Sequence, residues 1–446
     1  MCGVGNTTPV HSSGLGEAGI TVTRVMPLDF VLRQARVAGQ EDVLVDIGVR
    51  DGRIVEISAE IVTEAPATPV GGRLVAPGFV DTHIHLDKSC IMDRCRCELG
   101  TLQEAIATVA AAKRAFTEED VYVRAQRTLE RAILRGTTHM RTHVEVDPRI
   151  GLKSFTAIRR LKRDYAWAID LEICVFPQEG LTNDPGTEAL LVAACEAGAD
   201  LIGGCPYTDT DPHAHIARIF ALARRYDVDI DFHLDFDIDP SWMHLDEVCR
   251  QTELHRLGGR VAIGHATKLS AVDPDTLKTI ACRLADCGVA VTVLPATDLF
   301  LMGRQHSHNI PRGVAPAHRL LRHGVTCSLA TNNVLNPFTP FGDCSLVRIA
   351  NLYANTIQAG TPDELAACFD LVTVLPARLM NLESYGIAVG NPADIVVLDC
   401  ANRSAAVAEL SQPVLGMKRG RISFSRALPV LHRPDNLAAA KSAYGR

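Results

Sequence analysis

The sequence predicts a (β/α)8 barrel flanked by the strands of a second, smaller β-domain. Three observations predict it. Between about residues 74 and 331, eight short β-branched runs alternate with longer helical patterns, as in repeated βα units around a parallel sheet. His83-Ile84-His85 ends the first of these runs, and more histidines end later ones. On both sides of this stretch the pattern changes to strands without intervening helices.

The eight runs cover residues 74–85, 137–146, 168–177, 200–207, 227–235, 260–266, 289–295 and 325–332. Helical patterns over 102–135, 154–163, 187–197, 214–225, 245–257, 273–287, 315–323 and 345–358 fill the gaps. Ahead of the barrel, residues 43–57 read as a hairpin turning at Asp51-Gly52. Behind it, residues 391–399 and 413–422 read as further strands. The expected division is a loose Gly/Ser/Thr-rich arm over 1–20 and a small β-sandwich domain from 21–73 and 386–430. The barrel takes 74–385, and a tail covers 431–446.

Composition narrows the function. Hydrophobic residues at 47% and charged residues at 22% are ordinary for a soluble globular enzyme. A net charge of −7, with no basic run, argues against nucleic acid as a partner. No apolar run reaches membrane-spanning length, and no leader-like segment opens the chain. The 14 cysteines are scattered, often inside apolar stretches, which fits reduced core thiols and a cytoplasmic setting.

Chemistry on a barrel sits at the C-terminal ends of its strands. Residues two apart on a strand share a face, so His83 and His85 can reach one metal ion. His233, ending the fifth strand, is the natural third nitrogen ligand, and three ligands leave a position open for water or substrate. His265 ends the sixth strand, where it can hydrogen-bond the metal's water or the substrate oxygen. His143 ends the second strand, either packed in the wall or orienting a ligand. Gln178 ends the third strand, Asp235 follows His233 on the same face, and Lys88 lies just past the first strand.

The runs Pro77-Gly78-Phe79-Val80-Asp81-Thr82-His83-Ile84-His85-Leu86-Asp87-Lys88, Arg141-Thr142-His143-Val144-Glu145-Val146, Phe176-Pro177-Gln178-Glu179-Gly180 and Gly264-His265-Ala266 together resemble the amidohydrolase superfamily. The similarity is to the branch of bacterial cytosine deaminase and N-isopropylammelide isopropylaminohydrolase, and it runs over most of the chain. The resemblance implies hydrolysis of a C–N bond in a small nitrogen heterocycle or cyclic amide. It implies hydroxide on one divalent metal as nucleophile, zinc first and iron as the alternative. His83, His85 and His233 would be ligands, His265 would orient the nucleophile, and Gln178, with Lys88, would hold the ring. Strand four reads Leu201-Ile202-Gly203-Gly204-Cys205-Pro206, without the bridging Lys of two-metal relatives, so one metal is expected. Barrels of this branch tend to be homo-oligomers.

Two positions depart from the family pattern. Asn332 stands where the family has a strand-eight Asp that binds metal and accepts a proton. An amide oxygen can still coordinate, so Asn332 keeps a place among the metal and catalytic residues. Phe236 stands where cytosine deaminase has a proton-shuttling Glu, which leaves Asp235 as the expected proton donor to the leaving nitrogen. The alternative is a catalytically impaired protein that binds a small ligand without turnover.

Overall fold

The structure, a computed structural model, describes residues 27–432. The expected arm over 1–20 and nearly all of the expected C-terminal tail lie outside them. Eight parallel strands run in sequential order: Phe79–Ile84, Thr137–Glu145, Asp170–Phe176, Leu201–Ile202, Asp229–Leu234, Val261–His265, Val289–Val293 and Cys327–Leu329. The last meets the first through the main chain of Asn332. Its N–H donates to His83 O at 2.7 Å, and its carbonyl accepts from His85 N at 2.8 Å. Below this seam, Thr82 and Ser328 share a hydrogen bond of 2.7 Å between hydroxyls.

Helices pack around the barrel and bury one continuous apolar core, to which both sheet and helices contribute side chains such as Ile173, Ile230, Leu129 and Leu284. Several helices begin where the sequence supplies a cap. Thr101 Oγ1 accepts from Glu104 N, Asp273 Oδ1 from Thr276 N, and Thr361 forms a reciprocal pair with Glu364.

The chain ends meet in one mixed sheet. Strands Gln40–Arg50 and Arg53–Ser58 form the expected hairpin. Ile395–Leu398 pairs with Leu74–Pro77, joining the C-terminal strands to the N-terminal ones. Lys418 ties this sheet to the barrel: its buried ammonium donates to Asp394 at 2.7 Å and to the Thr138 carbonyl at 3.1 Å, and it pairs with Asp170 at 2.8 Å.

Several expected elements are divided or shortened. The single run over 74–85 is two strands in two sheets, parted at Gly78. A Cβ there would sit 2.2 Å from Thr138 Cγ2, so only glycine lets the chain cross between the sheets. The helical pattern over 102–135 is broken into Leu102–Ala112, a short 3-10 turn Lys113–Ala115, and Glu118–Leu134, because Thr117 caps a new helix. Strand four keeps only two residues. A helix over Pro295–Leu301, after strand seven, has no counterpart in the sequence reading. No helix among the described residues is long and apolar enough to cross a membrane, and all thirteen described cysteines are free thiols.

Candidate metal centre

The site is built on strand ends where the backbone leaves the sheet abruptly. Asp235, His265 and Asn332, ending strands five, six and eight, all have positive φ, at 48°, 68° and 62°. Non-glycine residues held there store strain of roughly 1–3 kcal/mol each and cluster at functional sites. Gly264 makes room at the centre: a Cβ on it would come within 3.1 Å of the His83 ring.

His83, His85 and His233 converge. His83 Nε2 and His85 Nε2 each lie 3.1 Å from His233 Nε2. Tetrahedral zinc with Zn–N bonds of about 2.0–2.1 Å separates its nitrogens by roughly 3.3 Å, so the two measured edges suit one ion. Burial first, and then the neighbouring rings or Lys88, hold all three histidines well below their ordinary pKa. They are therefore neutral, as ligands must be. Their Nδ1 atoms are buried without a hydrogen-bond partner among the described residues.

His143 is fully buried and stacks on His83 with ring centroids 3.7 Å apart. One of its nitrogens lies within 4.8 Å of a ring nitrogen of both His83 and His233. His143 also faces Asp231, with Nε2 3.6 Å from Oδ1. Arg141 donates to the other Asp231 oxygen at 2.9 Å. A buried chain Arg141–Asp231–His143 thus runs beneath His83.

Asn332 is 1% exposed, and neither its side-chain oxygen nor its nitrogen has a partner among the described residues. The main-chain bonds to His83 and His85 fix its position beside the triad. A buried, unpartnered carboxamide costs free energy unless something else binds it, which suits contact with an ion, water or substrate.

His265 donates its Nδ1 hydrogen to Asp298 Oδ1 at 2.7 Å, and its ring stacks on Phe236 at 3.6 Å. Burial raises the fully buried Asp298 carboxyl, with His265 pulling the other way. Phe236 also lines a cleft of about 360 Å³ with Leu102, Leu301 and Met302.

Asp235 is otherwise engaged. Its two oxygens accept from the backbone N–H groups of His244 at 2.9 Å and Leu245 at 3.2 Å, capping the helix Leu245–His255. Burial raises its carboxyl to about 6.

Lys88 and Gln178 come together. The Lys88 ammonium, 2% exposed, donates to Glu145 Oε1 at 2.7 Å and Gln178 Oε1 at 3.1 Å, and lies 4.3 Å from the Phe338 ring centre. Glu145 Oε2 accepts in turn from Lys113 at 2.7 Å, and Lys113 also reaches Asp147 and both oxygens of Glu179. The carboxylates of Glu145, Asp147 and Glu179 lie close enough to hold a cation, and the cation they hold is the Lys113 ammonium.

Sequence reasoning did not find Asp298, Lys113 or Asp231. Asp298 sits in a helix hidden by its apolar neighbours Leu294-Pro295-Ala296 and Leu299-Phe300-Leu301. Lys113 ends a long amphipathic run where a solvated lysine is the ordinary expectation. Asp231 carried the one available signal: it shares a strand face with His233, two residues on.

The chain is also similar to known proteins over most of its length. The chain is 28% identical to N-isopropylammelide isopropyl amidohydrolase of Pseudomonas sp. strain ADP, over 88% of this chain and 96% of that one. It is 27% identical to pterin deaminase of Rhizobium rhizogenes, over 89% and 91%. Among solved structures, 5-methylcytosine deaminase of Klebsiella pneumoniae with 5-fluorocytosine superposes with a TM-score of 0.87 at 29% identity, covering 91% of this chain and 99% of that one. The Amidohydrolase family profile matches residues 74–423, from the strand that leads into the barrel to the last strand of the end sheet. With the barrel, the C-terminal strands of the end sheet and the histidine cluster inside that match, the chain belongs to the amidohydrolase family, as a hydrolase acting on C–N bonds.

Proposed function

We propose that the chain is a mononuclear metal-dependent hydrolase that cleaves a C–N bond of a small nitrogen heterocycle or cyclic amide, with zinc as the first candidate ion and iron as the second. The observation that carries this reading is the buried, neutral triad His83, His85 and His233, in which His83 Nε2 and His85 Nε2 each lie 3.1 Å from His233 Nε2. Similarity to an isopropylammelide hydrolase, a pterin deaminase and a 5-methylcytosine deaminase supports the substrate class.

When bound, a divalent ion supplies acidification of a water and Lewis-acid polarisation of the reacting group. The chain's own residues then divide the work. His265, with its Nδ1 hydrogen committed to Asp298, has Nε2 left to take a proton and return it to the leaving nitrogen. This shifts the proton role from Asp235, whose oxygens already cap a helix. Lys88 and Gln178 hold the ring, and Asn332 offers a neutral oxygen beside the triad. The unpaired thiols support a reducing, cytoplasmic setting, and a homo-oligomer is proposed by analogy with the family.

A second reading, a ligand binder without turnover, draws on Asn332: a carboxamide is no base. Losing one general base ordinarily costs about 10²–10⁴ in rate rather than all of it, so hydrolysis is favoured. Metal analysis of chain purified without chelators, followed by a screen of aminated pyrimidines, triazines and pterins, tests both. About one ion per chain with turnover is expected, and His83→Ala/His85→Ala should lose metal and turnover together. Turnover retained in that variant would sink the site assignment. Persistent absence of metal after supplementation would leave the binder.

A further inference from the structure

The loop after strand five is fastened by the turn after strand six. Strand five ends at Leu234, and the chain then runs through Phe236, Asp237, Ile238 and Trp242 to the helix Leu245–His255. Two of its bends close on its own carboxylates: Asp237 Oδ1 accepts from Asp239 N at 2.8 Å, and Asp239 Oδ1 from Ser241 N at 3.0 Å. The turn Thr267–Ser270 grips the loop from outside. Thr267 Oγ1 donates to the carbonyls of Asp235 at 3.2 Å and Asp237 at 2.7 Å.

Lys268 enters the middle of that loop. Its ammonium donates to the Trp242 carbonyl at 2.9 Å, pairs with Asp237 Oδ2 at 3.1 Å and lies 3.0 Å from the centre of the Trp242 ring. Three partners match three N–H bonds. Lys268 is fully buried, whereas the indole over it is half-exposed. That inverts the usual surface arrangement, in which the lysine head stays in water. The loop so held carries a wall of the site. Phe236 stacks on His265 at 3.6 Å, and Phe236, Asp237 and Ile238 line the cleft of about 360 Å³ beside it. Phe236 has no hydrogen bond of its own to hold its ring in place, so the ring's position depends on the backbone that bears it. Lys268 lies three residues after His265. One short segment thus carries both the histidine and the clasp that keeps a ring against it.

We propose that Lys268 is a positioning residue: by clasping Asp237 and Trp242 it holds Phe236 against His265 and fixes the width of the cleft beside that histidine. The part His265 plays in turnover rests on the hydrolase reading. The clasp rests on the contacts alone.

Diethyl pyrocarbonate, which acylates an accessible neutral imidazole, reads the clasp in the full chain without any turnover. Peptide mass spectrometry gives the rate at each histidine. In wild type His265 should react slowly beside the exposed His306 and His308. Lys268→Met should speed its reaction about tenfold or more, as local opening exposes it, and Lys268→Arg, which keeps the cation, should restore most of the protection. Asp237→Asn, at a half-exposed position, removes only the counter-charge and should give an intermediate rate, so the test survives if Lys268→Met fails to fold. In a Trp167→Phe background Trp242 is the sole indole, and its quenching by acrylamide should rise in the same order. On the ring turned over fastest among the pyrimidines, triazines and pterins, Lys268→Met should raise KM about tenfold at unchanged metal content, with kcat moving less. A purely structural lysine would lower the unfolding midpoint and leave KM and the His265 rate alone. An unchanged His265 rate in both variants overturns the proposal. A faster His265 with KM unchanged also overturns it, since the clasp would then not shape the cleft, and leaves the hydrolase reading standing. Absence of turnover in wild type, with His265 protected by Lys268, refutes the hydrolase reading alone and supports the clasp.

Discussion

Asp298 accepts the Nδ1 hydrogen of His265 at 2.7 Å from inside the protein, where it is fully buried and its second oxygen takes only the Leu294 N–H at 3.3 Å. The pair fixes which nitrogen of His265 carries the hydrogen. It also fixes the ring against Phe236, at the edge of the histidine cluster. A strand-end histidine is thereby made a directed group.

Removing that direction should cost rate before it costs metal. Asp298→Asn is expected to lower kcat about 10–100-fold, the usual penalty for losing the partner that orients a site histidine, with metal content unchanged. Steady-state kinetics beside elemental analysis checks this. An unaltered kcat would show that His265 needs no orienting carboxylate.

Lys113 should matter for stability out of proportion to its distance in sequence from the site. Lys113→Met leaves Glu145, Asp147 and Glu179 crowded without their shared ammonium. Stripping one partner from a buried ion pair costs about 3–5 kcal/mol. Urea unfolding at neutral pH gives the value. A loss below about 1 kcal/mol would mean the carboxylates simply take up protons instead.

The same cluster predicts a pH effect. Burial first, and then Glu145, raise Glu179 to about 7 against the opposing pull of Lys113. An acid whose pKa is raised on folding binds an extra proton in the native state, so stability falls as pH rises from the ordinary Glu range toward 7. Glu179→Gln has no such proton to lose. Relative to wild type it should gain stability across that window, by at most about 1.4 kcal/mol per pH unit, and hold the gain above it. Unfolding curves at pH 4, 5, 6 and 7 test the trend, and parallel curves for the two proteins would contradict it.

Asn332→Asp restores an acid beside the triad. If the site is poised for hydrolysis, turnover on a competent substrate should rise by about 10²-fold or more, while the unfolding midpoint moves little. A fall in turnover, with metal bound, would mean the amide is itself part of the working site.

Much of this was legible in the sequence because barrels write their sites in short range. The period-two spacing of His83 and His85, and a histidine or amide at the end of strands five, six and eight, are local signals. Those residues do gather. What was not legible depends on contacts between distant segments. Lys113 reaches Glu145, Asp147 and Glu179 across 32 to 66 residues, and Asp298 reaches back 33 to His265. Asp235 shows the converse limit. Its spacing from His233 suggested a catalytic acid, yet at φ 48° it has left the strand, and the nearest groups in want of an acceptor are the first N–H groups of a helix. Spacing along a strand assigns a face only while the backbone stays extended.

The seam between the last and first barrel strands is made by the peptide groups of Asn332, not by its side chain. Architecture and reactivity are thus written in separate atoms of one residue. Exchanging carboxylate for carboxamide at this spot alters the proton inventory of the cavity while the hoop of peptide bonds stays shut. A lineage can therefore pass between one acid–base regime and another by a single codon change, with no intermediate that must first unfold, and position 332 is where such a passage would be recorded.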